Sequence, residues 1–493
     1  MLREIALLTA ALLAGSAAAP AFSQDTKAPG TLQLEDCRIR AGEGFPGIKA
    51  RCATFRRPED PSNPDSPLLE LHVAVVPALS LEPEPDAFVP IAGGPGQAST
   101  EFYAAFSAAF EGVRRTRDIV LLDQRGTGQS APMQCAAGED IIEGRYSREQ
   151  TIADTRACLA TLPYDPRYFT TSVAVQDLEA LRQALGYAKF NLYGISYGTR
   201  VAQHFLRRYP DSVRSVIIDG VVPPQIALGP GIAIEAQNAL DGIFARCAES
   251  DDCNGRFPTI RHDFTALRDS LASDPVIVSL PNPLTGAADE LLFSASEMSG
   301  ALRMLSYHPS SVALMPLLID EAVKRNFLPL AAQVLMIAES MSAALSIGMH
   351  NSVVCTEDSP YFAGEDVTRD ELEATYIGPL QLESLQAICS VWPKGVLDAD
   401  FKEPVASDVP VLLLSGEADP ITPPAYADLA AVDLGNALHL TGKKQGHGQA
   451  PQGCMPTIIG DFVAAASIEN LHTDCLDRLF AMPFFLDFSG PAP

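Results

Sequence analysis

The chain has 493 residues, of which 47% are hydrophobic and 19% are charged. That composition is typical of a globular protein with a large buried core, and it excludes a disordered or coiled-coil chain. The 61 acidic residues outnumber the 35 basic ones, so the formal net charge is −26. Because phosphate backbones and anionic lipids bind basic surfaces, this charge argues against nucleic-acid and membrane-surface partners.

The first residues predict export. Residues 1–23 have the pattern of a secretory signal: Arg3 precedes an apolar segment over 5–14, and the small residues Ala21 and Ser23 fit a cleavage site. The apolar segment is too short to span a bilayer, and no later segment is apolar enough to do so. We therefore expect a secreted or periplasmic protein with a cleaved signal peptide and no stable membrane anchor. The oligomeric state is left open.

Ten cysteines in an exported chain predict disulfides. The hypothesis is that each cysteine pairs with its neighbour in the chain, which closes five short loops. The pairs are Cys37–Cys52, Cys135–Cys158, Cys247–Cys253, Cys355–Cys389 and Cys454–Cys475. Sequence order does not prove this connectivity. No C-x-x-C motif is present, so a metal site is not expected.

Secondary-structure patterns divide the chain into three parts. Residues 24–67 are polar and proline-rich in places, and predict an arm over the surface. Strands and helices then alternate, with short apolar strands at 68–76, 88–91, 119–122, 190–193 and 213–218, and a helix at 197–208. This alternation predicts an α/β fold whose central sheet is mostly parallel and flanked by helices.

The pattern changes after residue 225. Residues 226–404 show mostly helical apolar spacing, and the α/β pattern returns with strands at 409–414 and 437–440. We therefore predict one α/β domain, formed by residues 68–225 and 405–493 and interrupted by a helical insertion at 226–404. The alternative is two or three separate domains in sequence.

The strongest motif is Gly194-Ile195-Ser196-Tyr197-Gly198, between a predicted strand and a predicted helix. This is the context of a nucleophile elbow, in which a strained turn exposes a serine hydroxyl above the sheet. The motif predicts that Ser196 is a catalytic nucleophile.

A glycine-rich loop follows the strand at 88–91, with the sequence Gly93-Gly94-Pro95-Gly96. Its backbone N–H groups, together with that of Tyr197, are candidates for an oxyanion hole. Pro95 has no N–H, so Gly94 is the first choice, with Gly93 or Gly96 as alternatives.

A serine nucleophile needs a base and an acid. His447 lies in a Gly-His-Gly loop after the last predicted strand, which predicts that it is the base. The acid should lie between serine and histidine in the chain. Asp419, in the loop after the penultimate strand, is preferred over Asp219, and Glu417 is a third candidate.

Together these motifs resemble the α/β-hydrolase superfamily, and more narrowly its proline iminopeptidase and tripeptidyl-aminopeptidase-like group of serine peptidases. The matching strings are Gly93-Gly94-Pro95-Gly96, Asp123-Gln124-Arg125-Gly126-Thr127-Gly128, Gly194-Ile195-Ser196-Tyr197-Gly198-Thr199-Arg200, Ser415-Gly416-Glu417-Ala418-Asp419-Pro420 and Gly446-His447-Gly448. The resemblance implies that the insertion is a helical cap over the active site. It also implies that residues 390–485, approximately, form the C-terminal module of the tripeptidyl-aminopeptidase-like group, and that Arg125 is a structural brace.

The resemblance further implies an exported serine aminopeptidase that releases N-terminal residues or short peptides through an acyl-enzyme. Its substrate would be a peptide with a free N-terminus, and no cofactor would be required. Glu357, in a string that resembles the family's cap, is the candidate anchor for the substrate ammonium; the alternative is a solvated acid beside a disulfide. Ala92 stands where proline iminopeptidases commonly have histidine, and this difference weakens the case for strict prolyl specificity.

Two other functions use the same features. A carboxylesterase would need the same triad, because the triad does not distinguish an ester from an amide. An inactive hydrolase fold acting as a binding protein is the alternative from another class.

Overall fold

The computed structural model describes residues 32–42, 44–135, 147–283 and 285–491. The predicted signal segment, residues 1–23, lies outside them. Within these ranges, no helix combines the length and the apolar character needed to cross a membrane.

The centre of the molecule is a nine-stranded sheet in the order β1-β2-β3-β5-β4-β6-β7-β10-β11. The strands are β1 Glu35–Ile39, β2 Ile48–Pro58, β3 Leu68–Val76, β4 Ala87–Ile91, β5 Ile119–Leu122, β6 Phe190–Ile195, β7 Val213–Asp219, β10 Val411–Gly416 and β11 Ala437–Gly442. From β5 to β11 all neighbours are parallel, while β1, β2 and β3 pair antiparallel at one side. The mostly parallel α/β sheet predicted from the sequence is confirmed.

The first strands correct the sequence prediction for residues 24–67. Instead of a surface arm, Glu35–Ile39 and Ile48–Pro58 extend the sheet, and Cys52 pairs with Ala74 of β3. Outer strands of a sheet are half exposed, so charged residues alternate with apolar ones and hide the strand signal. Lys49 and Arg51 are exposed, and Ala50 between them is buried.

Helices cover both faces of the sheet, and others belong to the insertion. They are α1 Ser99–Phe106, α2 Glu111–Arg114, α3 Arg148–Thr161, α4 Thr171–Leu185, α5 Tyr197–Arg208, α6 Ile232–Glu249, α7 Asp251–Arg256, α8 Ile260–Ser273, α9 Ala295–Leu305, α10 Pro309–Val323, α11 Leu328–Ala344, α12 Ile347–Val353, α13 Arg369–Glu373, α14 Leu380–Cys389, α15 Pro424–Ala431 and α16 Met455–Ala465. Because strand side chains alternate, Leu192 packs with α4 and α5 on one face, and Tyr193 packs with α1 and α16 on the other.

The helical insertion lies between β7 and β10, which are adjacent in the sheet. Its first part has its own apolar core, formed by residues such as Leu240, Phe264, Met298, Leu318 and Leu335. It also contains a hairpin that the sequence did not predict, with strands β8 Val276–Pro281 and β9 Ala288–Phe293.

The second part of the insertion behaves differently. Met349, Cys355 and Trp392 pack into the core of the sheet domain rather than into the insertion's own core. In the other direction, Phe484 from the C-terminal tail packs into the insertion's core. A segment of each region therefore packs into the core of the other. The contiguous domain ranges predicted from the sequence did not include this packing.

The ten cysteines form five disulfides, each between neighbours in the chain. They are Cys37–Cys52, Cys135–Cys158, Cys247–Cys253, Cys355–Cys389 and Cys454–Cys475. Cys37–Cys52 joins β1 to β2, and Cys355–Cys389 joins a π-helical turn, Val354–Asp358, to the end of α14. The bonds staple local segments and do not link distant parts of the chain.

Candidate active site

Ser196 occupies a strained turn between β6 and α5. Its backbone angles are φ 54° and ψ −125°, a region that residues with a side chain rarely adopt. A Cβ atom at Gly198 would lie 2.3 Å from the carbonyl oxygen of Ile91, so only glycine allows strand and helix to approach this closely. The turn therefore has the geometry of the predicted nucleophile elbow. Tyr197 begins the helix, and an N–H in the first turn has no intrahelical acceptor.

His447 and Asp419 form a short hydrogen bond. The distance from His447 Nδ1 to Asp419 Oδ2 is 2.7 Å, and the Asp419 side chain is fully buried. Thr422 Oγ1 donates to the same carboxylate oxygen at 2.8 Å, and the backbone N–H groups of Ile421 and Thr422 donate to the other at 3.0 and 2.9 Å. The carboxylate is thus fixed by four donors, and it orients the imidazole so that Nε2 is left for proton transfer.

The imidazole of His447 experiences opposing influences. Burial acts to lower its pKa, but the charge and the hydrogen bond of Asp419 outweigh burial and hold the pKa of His447 above its usual value. Asp219 adds to the rise through its charge. The Asp419 carboxylate therefore stabilises the imidazolium, which is the form a general base reaches after taking a proton.

Asp219, the rival acid, has a different position. Its carboxylate accepts the backbone N–H groups of Gln449 and Ala450, each at 2.8 Å, and its backbone oxygen accepts the N–H of Ser196 at 2.9 Å. Tyr193 Oη donates to it as well, at 2.8 Å. Asp219 therefore ties the loop after His447 to the elbow.

Glu417 is exposed, and its side chain accepts the backbone N–H of Lys444 at 2.7 Å. Of the three candidate acids, only Asp419 is hydrogen-bonded to His447.

Tyr307, which the sequence did not single out, holds His447 from the insertion. The N–H of His447 donates to the carbonyl oxygen of Tyr307 at 2.8 Å, and the two rings meet edge to face at 5.2 Å. Among the described residues, Ser196 Oγ has no hydrogen-bond partner, and the link between serine and histidine in unliganded enzymes is often formed only with substrate.

The glycine-rich loop lies against the elbow. A Cβ atom at Gly93 would lie 2.9 Å from Ser196 Cβ and 3.5 Å from its Oγ, whereas Gly94 faces Gly96 and Leu345. The structure thus favours Gly93, an alternative in the prediction, over Gly94 as the loop residue next to the nucleophile.

The insertion also grips the glycine-rich loop. The N–H of Ser346 donates to the carbonyl oxygen of Gly96 at 3.0 Å, and His350 Nδ1 lies 3.2 Å from the carbonyl oxygen of Pro95. The insertion therefore contacts the loop beside Ser196 at two of its backbone carbonyl oxygens.

Glu357 does not reach the substrate side. It is fully buried, and its two oxygens accept the N–H and the hydroxyl of Thr171 at 2.7 and 3.0 Å. Thr171 Oγ1 in turn lies 2.7 Å from Tyr197 Oη. Burial raises the pKa of Glu357 to about 7. The geometry contradicts both the ammonium anchor and the solvated acid, because the carboxylate serves as a brace beneath the elbow helix.

Arg125 has the bracing position that the resemblance implied. Its Nε and Nη2 donate to the carboxylate of Asp177 at 2.7 and 3.0 Å, and Nη1 donates to the carbonyl oxygens of Glu59 and Tyr168. Its neighbour Gln124 donates to Tyr197 Oη at 3.0 Å. In the described ranges, no group of three or more His, Cys, Asp or Glu residues is placed to hold a metal ion.

Comparisons with known families agree with this geometry. Residues 86–255 match the family described as alpha/beta hydrolase fold, and residues 374–475 match the family described as TAP-like protein. The chain has the α/β-hydrolase fold. It is a hydrolase of the serine peptidase and hydrolase type, and it is similar to the tripeptidyl-aminopeptidase-like group.

Three curated relatives of the chain are named as hydrolases or peptidases. A putative hydrolase, YuaR of Escherichia coli, is 26% identical over 74% of each chain. Serine protease Hip1 of Mycobacterium tuberculosis is 25% identical over 79% of each. Tripeptidyl aminopeptidase of Streptomyces lividans is 27% identical over 44% of this chain and 48% of its own, so that match spans about half of the relative.

Proposed function

We propose that this α/β-hydrolase is an exported serine peptidase that removes N-terminal residues or short peptides from peptide substrates. The observation that carries the proposal is the buried Asp419 carboxylate, hydrogen-bonded to His447 at 2.7 Å on the loops beside the strained Ser196. The three residues occur in the order serine, aspartate, histidine, as in other α/β-hydrolases.

In the proposed mechanism, Ser196 Oγ attacks the scissile carbonyl carbon while His447 Nε2 accepts the hydroxyl proton. The carbonyl π electrons move to oxygen, and the N–H of Tyr197 and the Gly93-Gly94 loop stabilise the resulting oxyanion. The imidazolium then protonates the leaving amine as the C–N bond breaks. Water, deprotonated by His447, hydrolyses the acyl-enzyme and restores Ser196.

Peptides are the proposed substrates because two of the named relatives are a tripeptidyl aminopeptidase and a serine protease. Export is supported by five disulfides and by the predicted signal at residues 1–23. We further propose that residues 226–404 form the cap that selects the substrate, since Tyr307 and Ser346 contact the loops of the site.

The test is a panel of aminoacyl, dipeptidyl and tripeptidyl fluorogenic amides, each with a free or an acetylated N-terminus. We expect hydrolysis of free-amine substrates by the parent chain, loss of turnover in Ser196→Ala with an unchanged melting temperature, and covalent labelling of Ser196 by a fluorophosphonate. Preference for acetylated amides or for simple esters would replace the aminopeptidase by an esterase-type activity. An unlabelled Ser196 would overturn the proposal.

A further inference from the structure

The phenol of Tyr197 is the meeting point of separate segments of the chain. Tyr197 is the first residue of α5, and it is buried. Its Oη accepts a hydrogen bond from Gln124 Nε2 at 3.0 Å and lies 2.7 Å from Thr171 Oγ1. Gln124 follows β5, and Thr171 is the first residue of α4. The residue next to the proposed nucleophile is therefore held at its polar end by two other elements of the sheet domain.

The insertion completes this chain of hydrogen bonds through Glu357. The N–H of Thr171 donates to Glu357 Oε1 at 2.7 Å, and Thr171 Oγ1 donates to Oε2 at 3.0 Å. A hydroxyl has only one hydrogen, so the bond between the two hydroxyls is then donated by Tyr197 Oη. If Glu357 is protonated, Oε2 donates to Thr171 and the directions reverse, but the contacts stay the same.

The neighbouring cation does not take Glu357 away from this chain. Arg200 Nη1 donates to the two carboxylate oxygens of Asp358 at 2.9 and 3.0 Å, whereas Glu357 Oε2 lies 3.9 Å from it. Arg200 Nη2 donates to the carbonyl oxygen of Ile226 at 2.8 Å. Among the described residues, Thr171 supplies both hydrogen bonds that Glu357 accepts.

Packing alone does not fix Tyr197. Together with Gly93 and Gln124, it lines a cavity of about 20 Å³. That volume is about enough for one water molecule, so Tyr197 borders a space that side chains do not fill. The two hydrogen bonds at Oη oppose movement into this space. Because the phenol and the backbone N–H belong to one residue, the same bonds restrain the N–H that the proposed mechanism aims at the oxyanion.

We propose that Glu357 and Thr171 are positioning residues, which hold the N–H of Tyr197 toward the oxyanion by fixing the Tyr197 phenol. Both are fully buried, and both act through the residue that supplies the donor. The inference rests on the serine-hydrolase chemistry proposed above, whether the substrate is an amide or an ester. The loss of a whole oxyanion donor lowers kcat by about 10²–10³-fold, and a displaced donor should cost less, about tenfold.

The test measures how fast a fluorophosphonate modifies Ser196 in the full chain. In this reaction Ser196 Oγ bonds to phosphorus, fluoride leaves, the serine proton passes to His447, and the phosphoryl oxygen occupies the place of the oxyanion. Thr171→Val removes the hydroxyl and keeps the shape of the side chain. It should reduce the second-order rate constant about tenfold. The kcat for the preferred amide or ester should fall by the same factor, with KM unchanged.

Thr170→Val is the matched control. Thr170 is the adjacent buried threonine, and its Oγ1 donates to the carbonyl oxygen of Val396 at 2.7 Å rather than to the chain at Tyr197. Because each valine variant loses a buried hydroxyl, the two melting temperatures should fall by similar amounts. Only Thr171→Val should be labelled more slowly than the parent.

A double-mutant cycle separates positioning from general destabilisation. Tyr197→Phe removes the hydroxyl that transmits the effect, and it should also slow labelling about tenfold. Adding Thr171→Val to Tyr197→Phe should then change the rate constant by less than about twofold, because both substitutions break the same chain. Glu357→Ala should match Thr171→Val. Glu357→Gln should recover part of the rate, since its amide oxygen still accepts the N–H of Thr171.

An unchanged rate constant in Thr171→Val, an equal loss in Thr170→Val, or a loss that adds to that of Tyr197→Phe would overturn the inference. A parent chain in which Ser196 is not labelled would refute the proposed serine hydrolase and this inference with it. A parent that is labelled but hydrolyses only esters, together with the tenfold loss in Thr171→Val, would uphold the positioning role while replacing the peptidase.

Discussion

Two Ser–His–Asp arrays can be compared among the described residues, and their surroundings differ. The second array is Ser415, Asp428 and His439: His439 Nε2 lies 3.0 Å from Ser415 Oγ, and Nδ1 lies 2.8 Å from Asp428 Oδ1. It even shows the serine–histidine contact that Ser196 lacks in this structure. By distance and chain order alone, it would be the better triad.

The surroundings reverse that ranking. Ser415 is fully buried within the regular strand β10, so no substrate can reach its hydroxyl, and Asp428 is 71% exposed. Ser196 instead stands on a turn at the start of α5, beside a glycine-rich loop. The comparison teaches that backbone strain, access and N–H donors define a nucleophile, whereas side-chain distances define only a hydrogen-bond network.

The largest effect is expected when the serine of the first array is removed. Ser196→Ala should reduce kcat/KM by about 10⁴-fold or more, because the covalent route is lost. Ser415→Ala is the matched control, and it should keep kcat/KM within about threefold while costing roughly 1 kcal/mol of stability through the lost buried hydrogen bond. Steady-state kinetics and urea denaturation of both variants measure this. Equal losses of activity would remove the distinction between the arrays.

The aspartates should differ nearly as much. Asp419→Asn should lower kcat by about 10³–10⁴-fold, since the amide no longer fixes the imidazole tautomer. Asp428→Asn changes an exposed side chain, so its kcat should equal that of the parent. The check is kcat at saturating substrate and a melting curve for each. Substantial activity in Asp419→Asn would exclude its assigned role.

The elbow is also distinguished by the buried carboxyl of Glu357 beneath its helix. Glu357 has its pKa raised to about 7 by burial, from a usual value of 4.5. Between these pH values the unfolded chain ionises while the folded chain keeps its proton, so stability should fall as pH rises through this window. The loss is up to about 3 kcal/mol.

Denaturation at pH 4.5, 6 and 7.5 should show that Glu357→Gln lacks this component of the fall. Glu82→Gln, an exposed loop residue, should follow the parent at every pH. Parallel curves for the parent and Glu357→Gln would show that the carboxyl titrates normally.

The smallest effect concerns the hydroxyl that supports Asp419. Thr422→Val removes the donor to Asp419 Oδ2 and should lower kcat/KM by about tenfold, because one of four carboxylate contacts is lost. Thr441 on β11 is the strand partner of Ser415, the serine of the second array. Thr441→Val should leave kcat/KM unchanged. If the two valine variants have the same kcat/KM, Thr422 contributes nothing beyond packing.

Much of the sheet could be predicted because buried parallel strands are short apolar runs. The strands predicted at 119–122 and 437–440 correspond to Ile119–Leu122 and Ala437–Gly442. The outer strands β1 and β2 were not predicted because their polar residues face solvent. The hairpin of Val276–Pro281 and Ala288–Phe293 was not predicted because it lies within a region of helical spacing.

The candidate site could be predicted where a local motif defines it, as at Ser196, and where chain order restricts the choice, as at Asp419 and His447; the catalytic roles of these residues stay predictions. Glu357 was assigned wrongly because sequence does not reveal burial: the same acidic string can line a cleft or lie beneath a helix. Tyr307 left no local signal, since its partner, His447, is distant in the chain.

The carbonyl oxygen of Tyr307 has a consequence for engineering. Because it accepts the N–H of His447, the insertion supplies part of the scaffold on which the proposed base rests. If the insertion selects the substrate as proposed, a chimera that exchanges it for that of another hydrolase would change the specificity surface and remove the carbonyl oxygen that accepts from His447. Under the proposed role of the insertion, one segment would both select the substrate and hold the base, so a redesign of specificity should keep the Tyr307 carbonyl in place.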